Sequence, residues 1–310
     1  MNRRSFAQAL AAGALSAAVP PIRAAAVQPQ SPTPAAIPAP QYGLSVMLWT
    51  VFKGLPFEER IAKVAEAGYT RIQFVGEYHN WSPAEFDSAI AARNRLGLEF
   101  DTTAGLHNSI GDPAVRDAFL AEVAHELTIM EKLGCPSLIV MSGNVVPTLS
   151  REAQHASCIE GLKQAAKLVE GRQINGHPVR LLLECIDPEE NPKYFLTSAA
   201  EAIEVIRAVN HPQVRFLYDM FHEQIAEGNL IEKLEKHLDV IDLIHIADVP
   251  GRHEPGTGEI NYGNVYKKLA QLGYRQTIAM EFMPLGDQVA KLKAAKAQAM
   301  NPGAAFAAAL

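Results

Sequence analysis

Val179-Arg-Leu-Leu-Leu-Glu-Cys185 packs aliphatic residues into a run too short for a helix and closes it on an acid. Bounded apolar runs of this length read as buried β-strands. The design recurs downstream in Val214-Arg-Phe-Leu-Tyr-Asp219, Ile241-Asp-Leu-Ile-His-Ile-Ala-Asp248 and Thr277-Ile-Ala-Met-Glu-Phe282. Glu184, Asp219, His245 and Glu281 each stand at the C-terminal end of a different strand. Parallel strands closed into a barrel deliver those ends to one rim, so the four side chains should converge. Leu182, Leu217, Leu243 and Ala279, two residues earlier, should face the same interior. Two Glu, one Asp and one His form a hard, mostly oxygen ligand set, suited to Mn²⁺, Mg²⁺ or Co²⁺ and borderline for Zn²⁺.

Upstream, the same alternation continues. Strands are predicted at Gly43–Trp49, Arg71–Val75, Leu98–Thr103, Ser137–Met141, Val179–Glu184, Val214–Asp219, Val240–Ala247 and Thr277–Glu281. Helical patterns separate them. Phe57, Ile61 and Val64 share a face over Pro56–Ala67, and Phe119, Val123, Leu127 and Met130 do so over Pro113–Leu133. Eight β-α repeats over about 245 residues predict an α/β fold, a single-domain (β/α)8 TIM barrel. An open doubly wound sheet would carry a glycine-rich phosphate loop after its first strand, and Trp49-Thr-Val-Phe-Lys-Gly54 is not one.

The chemistry follows from the ligand set. A divalent metal on that rim can hold a carbonyl and a neighbouring hydroxyl oxygen while an enediolate develops. Glu184 and Glu281 then serve as the acid/base pair: one removes a proton, the other returns it to the adjacent carbon or the opposite face. Taken singly, each acid could equally be a helix cap. Four in consecutive strands are harder to dismiss. His222, three residues after Asp219, is placed to hydrogen-bond substrate. The Pro/Gly-rich loop 248–261 has the length of a functional lid, with Arg252 as its anion or hydroxyl clamp and Glu259 as cap of the following helix. His107 and Trp49 are further substrate-binding candidates, as are His79 and Phe74 more weakly. A non-phosphorylated substrate is preferred, since no phosphate cradle is visible.

Asn2-Arg-Arg-Ser-Phe6, followed by an Ala-rich apolar stretch and Ala24-Ala-Ala26, reads as a twin-arginine export signal over residues 1–26. It implies export in the folded state to the periplasm or beyond. Residues 27–40 are a Pro-rich linker, 41–285 the catalytic barrel, and 286–310 a C-terminal helix and Ala-rich tail. The net charge of −6 becomes −9 once Arg3, Arg4 and Arg23 are lost with the signal, which disfavours nucleic acid and anionic membrane as partners. The apolar stretch is too short for a stable span. Cys135, Cys158 and Cys185 are odd in number and lack C-x-x-C spacing, so no disulfide framework is expected. The sequence leaves homo-oligomerisation open.

The stretch His245-Ile-Ala-Asp-Val-Pro-Gly-Arg-His-Glu-Pro-Gly-Thr-Gly-Glu-Ile-Asn-Tyr262 closely resembles the corresponding loop of hydroxypyruvate isomerase-like proteins, members of the xylose isomerase-like TIM-barrel superfamily. Leu182-Leu-Glu-Cys-Ile-Asp187, Tyr218-Asp-Met-Phe-His222 and Ala279-Met-Glu-Phe-Met-Pro284 match in order and spacing. The resemblance implies a divalent metal held by Glu184, Asp219, His245 and Glu281, with the two glutamates as acid/base. Three positions depart from the pattern. His245 stands where some hydroxypyruvate isomerases have Gln, Gln73 where many members have Glu, and Leu243 where a histidine is common. Competing expectations use the same rim: an exported 3-keto-sugar lyase or hydratase, or a sugar-binding barrel without turnover. A zinc DNA-repair endonuclease of the same superfamily is opposed by the acidic charge and by Gly251, which stands where an Asp would pair with His253.

Overall fold

The computed structural model describes residues 37–302. The expected export signal, most of the linker and the end of the Ala-rich tail lie outside those residues. Eight strands, all in parallel register, close in sequence order into a barrel: β1 (Gly43–Met47), β2 (Arg71–Val75), β3 (Glu99–Ala104), β4 (Ser137–Met141), β5 (Arg180–Glu184), β6 (Val214–Asp219), β7 (Ile241–Ile246) and β8 (Thr277–Met280). β8 returns to pair with β1, so no edge is left. The fold is the expected single-domain TIM barrel.

The helices α1 (Phe57–Glu66), α2 (Pro83–Leu96), α3 (Arg116–Leu133), α4 (Arg151–Val169), α5 (Ala199–Val209), α6 (Met220–Ala226), α7 (Leu230–His237), α8 (Tyr262–Gln271) and α9 (Gln288–Met300) clothe the barrel. Their apolar faces form one large core with the outward side chains of the strands, where Ile61, Val64, Phe119, Val123 and Leu269 are buried together with Phe74. Phe74 therefore belongs to the packing outside the barrel and not to a pocket wall. The inward side chains form a second, separate cluster of Met47, Ala104, Ile139, Leu182, Leu217, Leu243 and Ala279, with Trp49 packed on it. This apolar plug holds the four predicted inward residues and forms the floor beneath the rim.

Two local departures have clear causes. The helix expected from Pro113 begins as a 3-10 turn, Pro113–Val115, capped by Asp112, and becomes α-helical only at Arg116 because Val115 leaves helical geometry. β1 stops at Met47, and a 3-10 turn over Leu48–Thr50 swings Trp49 across the rim. An additional two-stranded hairpin, Gln173–Ile174 with His177–Pro178, was not foreseen in the polar run after α4. The three cysteines are buried and free, as expected. No helix among the described residues is long and apolar enough to cross a membrane.

The ladder slips once between β2 and β3 and once between β6 and β7. Ile72 pairs with Phe100 but Gln73 with Thr102, which leaves Asp101 as an extra residue. Asp242 is the extra residue of the second slip. Bulges of this kind re-aim side chains. Asp242 accepts from both Arg180 Nε (2.9 Å) and Arg215 Nε (2.8 Å).

Candidate metal centre and active site

Strand register brings the four predicted ligands together. Asp219 pairs with His245 across β6 and β7, and Ala279, two residues before Glu281, pairs with the same histidine. Glu184, Asp219, His245 and Glu281 are all buried, and one ligand atom from each lies within 4.8 Å of the others. Asp219 also serves the backbone. Its Oδ1 accepts the Phe221 N–H at 2.8 Å and caps α6, so one oxygen is committed to the helix. That leaves Oδ2 turned to the rim, 3.3 Å from Arg252 Nη2.

His245 is held at both nitrogens. Nδ1 lies 2.6 Å from Glu281 Oε2 and Nε2 lies 2.9 Å from Gln73 Oε1. Glu281 also accepts the Trp49 indole N–H (2.6 Å) and Arg252 Nη2 (2.9 Å). Arg252 lies between the Trp49 and Phe221 rings, 5.2 and 4.9 Å from their centroids, and its Nη1 donates to Glu190 at 2.7 Å. His222 Nδ1 lies 2.7 Å from Asp187 Oδ2, while its Nε2 faces Asp219 and Arg252.

This crowding of charge splits the two glutamates. Burial, then the negative charges of Glu281 and Asp219, push the Glu184 carboxyl up to about 7. Burial acts the same way on Glu281, but the charges of His245 and Arg252, with the Trp49 bond, outweigh it and hold that carboxyl well below its ordinary value. Burial works against the charged form of His222, yet Asp219 and the Asp187 hydrogen bond raise it to about 9. Three carboxylates this close, against one fixed guanidinium and an imidazole, form a site whose chemistry fits a hard divalent cation.

Trp49, His222 and Arg252 thus lie at the rim beside the quartet. His107 sits apart from it: its side chain is 76% exposed and Nδ1 lies 3.7 Å from Glu122 Oε1. His79 turns to Glu126, 3.4 Å away. Glu259 does not cap α8. Asn261 does, and Glu259 accepts from Gln224 at 2.9 Å.

The loop expected to act as a lid is knotted. The Asp248 carboxylate accepts the backbone N–H groups of Val249 (3.0 Å), Gly256 (2.8 Å) and Ile260 (3.0 Å), and Met283 N–H donates to the Arg252 carbonyl at 2.7 Å. At Gly258 a Cβ would lie 2.0 Å from the Val249 oxygen, so the chain passes too close for any side chain. Arg252 is therefore presented by a fixed scaffold. Asp187, Glu190 and Asp248 carry no periodic signal and read in sequence as ordinary loop acids. Only their contacts mark them.

A closed barrel with a buried carboxylate–imidazole quartet on its C-terminal rim defines a TIM-barrel enzyme. Residues 61–299 match the xylose isomerase-like TIM-barrel family, and the chain belongs to it. It is 32% identical over 256 residues to 2-oxo-tetronate isomerase from Haemophilus influenzae, spanning 79% of this chain and 95% of that one. It is 28% identical over 246 residues to hydroxypyruvate isomerase from Escherichia coli, spanning 77% and 93%. Among solved structures, a family 2 AP endonuclease from Brucella melitensis superposes with a TM-score of 0.72 at 27% identity, covering 82% of this chain and 96% of that one. The chain is an isomerase.

Proposed function

We propose that this isomerase acts on a small hydroxy-carbonyl compound of the hydroxypyruvate or 2-oxo-tetronate kind through an enediolate, with a divalent metal held by Glu184, Asp219, His245 and Glu281. The observation that carries the reading is the quartet, in which two glutamates at the ends of the ligand arc are pushed in opposite directions. The cation supplies Lewis-acid polarisation of the substrate's carbonyl and neighbouring hydroxyl oxygens. One glutamate takes the proton from the carbon bearing the hydroxyl and the other delivers a proton to the former carbonyl carbon. Arg252 and His222 offer N–H donors to the substrate's remaining oxygens, and the relatives' acidic substrates suit the guanidinium.

Nuclear magnetic resonance in D₂O tests this. Metal-loaded protein given hydroxypyruvate and a panel of ketoses should place deuterium on the carbon next to the carbonyl, and metal removal should stop it. Absence of incorporation across the panel would sink the enediolate. The products separate isomerisation from epimerisation and from elimination.

Metal uptake should depend on pH. Glu184 must give up its proton to become a ligand, so affinity should fall below pH about 7, by roughly tenfold per unit for each proton displaced. In metal-free protein the sign reverses. The unfolded carboxyl ionises near 4.5, so stability contributed by protonated Glu184 is lost as pH rises from 4.5 to about 7. Titration calorimetry across pH 5.5–8 checks the first, and a pH-independent affinity would refute it.

Export through the twin-arginine route is part of the proposal and rests on Arg3 and Arg4 with the apolar stretch behind them. Replacing both arginines by lysine should keep the protein in the cytoplasm at full length. Unchanged recovery outside the cytoplasm would refute it.

A further inference from the structure

We propose that Gln73 is a positioning residue of the metal centre: its amide oxygen holds His245 in the Nε2–H form and so presents Nδ1 to the metal. The inference rests on the metal reading of the quartet.

Gln73 lies inside the barrel on β2, fully buried, beneath the rim and on the far side of His245 from the carboxylates. A primary amide has a donating and an accepting end, and its surroundings decide which points where. Below Gln73, Thr102 Oγ1 lies 3.3 Å from the amide nitrogen. Beside the same amide the bulge residue Asp101 turns its carboxyl inward, where Ser45 Oγ donates to it at 3.0 Å. The amide N–H donates to the Thr102 hydroxyl on the side where the Asp101 carboxyl lies, so the NH₂ faces down and the oxygen faces up, 2.9 Å from His245 Nε2.

A carbonyl oxygen only accepts. The nitrogen opposite it must therefore carry the hydrogen, and a neutral imidazole has only one. Without a metal Nδ1 faces the Glu281 carboxylate at 2.6 Å and carries a hydrogen too, and the Gln73 bond makes Nδ1 the nitrogen that would give its hydrogen up to a cation held with Glu184, Asp219 and Glu281. The bulge in β3 thus contributes to the metal centre from a strand that supplies no ligand: it brings Thr102 opposite Gln73, Thr102 accepts the amide N–H, and Gln73 sets the tautomer. An amide partner also leaves the imidazole less basic than a carboxylate would, so the residue at position 73 governs affinity as well as orientation.

Co²⁺ binding to the full chain, followed by its visible absorption and by competition with a chelator, tests this without turnover. Gln73→Met keeps nearly the same volume and removes the acceptor. It should bind Co²⁺ about 10–100-fold more weakly, with altered absorption bands. Gln73→Glu keeps the acceptor and should bind more tightly than the wild-type chain. A folded Gln73→Met protein with unchanged affinity and spectrum overturns the proposal. Where that variant does not fold, Gln73→Glu decides: equal or weaker binding overturns it, tighter binding supports it. A wild-type chain that takes up no Co²⁺ overturns the metal reading itself.

Discussion

Glu184→Gln is expected to lower kcat by about 10²–10⁴-fold, the usual worth of a positioned proton-transfer group, while the barrel stays folded. Glutamine has the shape of a protonated glutamic acid, which the buried carboxyl of Glu184 already favours up to pH about 7, so the fold loses little. Removing one of three crowded carboxylates also relieves repulsion with Glu281 and Asp219, and the metal-free variant should melt no lower than the wild-type chain. With Glu184 as the group that removes the proton, deuterium exchange and product formation should fall together, because both begin with that step. An unaltered exchange rate in the folded variant would show that Glu184 does not remove the proton.

Arg252→Met should cost metal-free protein about 3–5 kcal/mol, the typical consequence of removing one partner from a buried ion pair. The guanidinium donates to Asp219, Glu281 and Glu190 at once, and the first two carboxylates are only 3% and 5% exposed. A divalent cation in the quartet supplies the missing positive charge. Metal should therefore raise the melting temperature of the variant more than that of the wild-type chain. Equal metal-induced shifts in differential scanning calorimetry would show that Arg252 does not balance the ligand charges. Substrate turnover should fall as well, with most of the loss in KM if Arg252 chiefly binds.

The strands were legible because inward and outward positions of a parallel barrel are both apolar, and eight such runs separated by helical periods leave few alternatives. The quartet was legible for the same reason: a charged group at the end of an apolar run is conspicuous, and the barrel's geometry sends all such ends one way. Trp49 shows the boundary of that logic. Its place near the rim followed from ending a strand, but the 3-10 turn that lets its N–H reach Glu281 depends on contacts across 232 residues of chain. Asp248 lay in a stretch that looked like a lid, and only the closure of three N–H groups on one carboxylate turned it into a scaffold. His107, like His222, follows a strand and was a candidate for binding substrate, though a weaker one. The loop after β3 carried His107 to solvent beside Glu122, whereas α6 begins at Asp219 itself and keeps His222 at the rim.

The sequence by itself determined the barrel, the order of its strands and the identity of the four convergent side chains, because hydrophobic period and strand polarity are local properties that parallel closure projects onto one rim. Only the tertiary structure decided which glutamate is held charged, which nitrogen of His245 faces the carboxylates, and that Arg252 rather than a mobile lid lies against them. Those outcomes are set by distances of about 3 Å between residues far apart in the chain, where burial strengthens every charge–charge and hydrogen-bond term that water would otherwise screen.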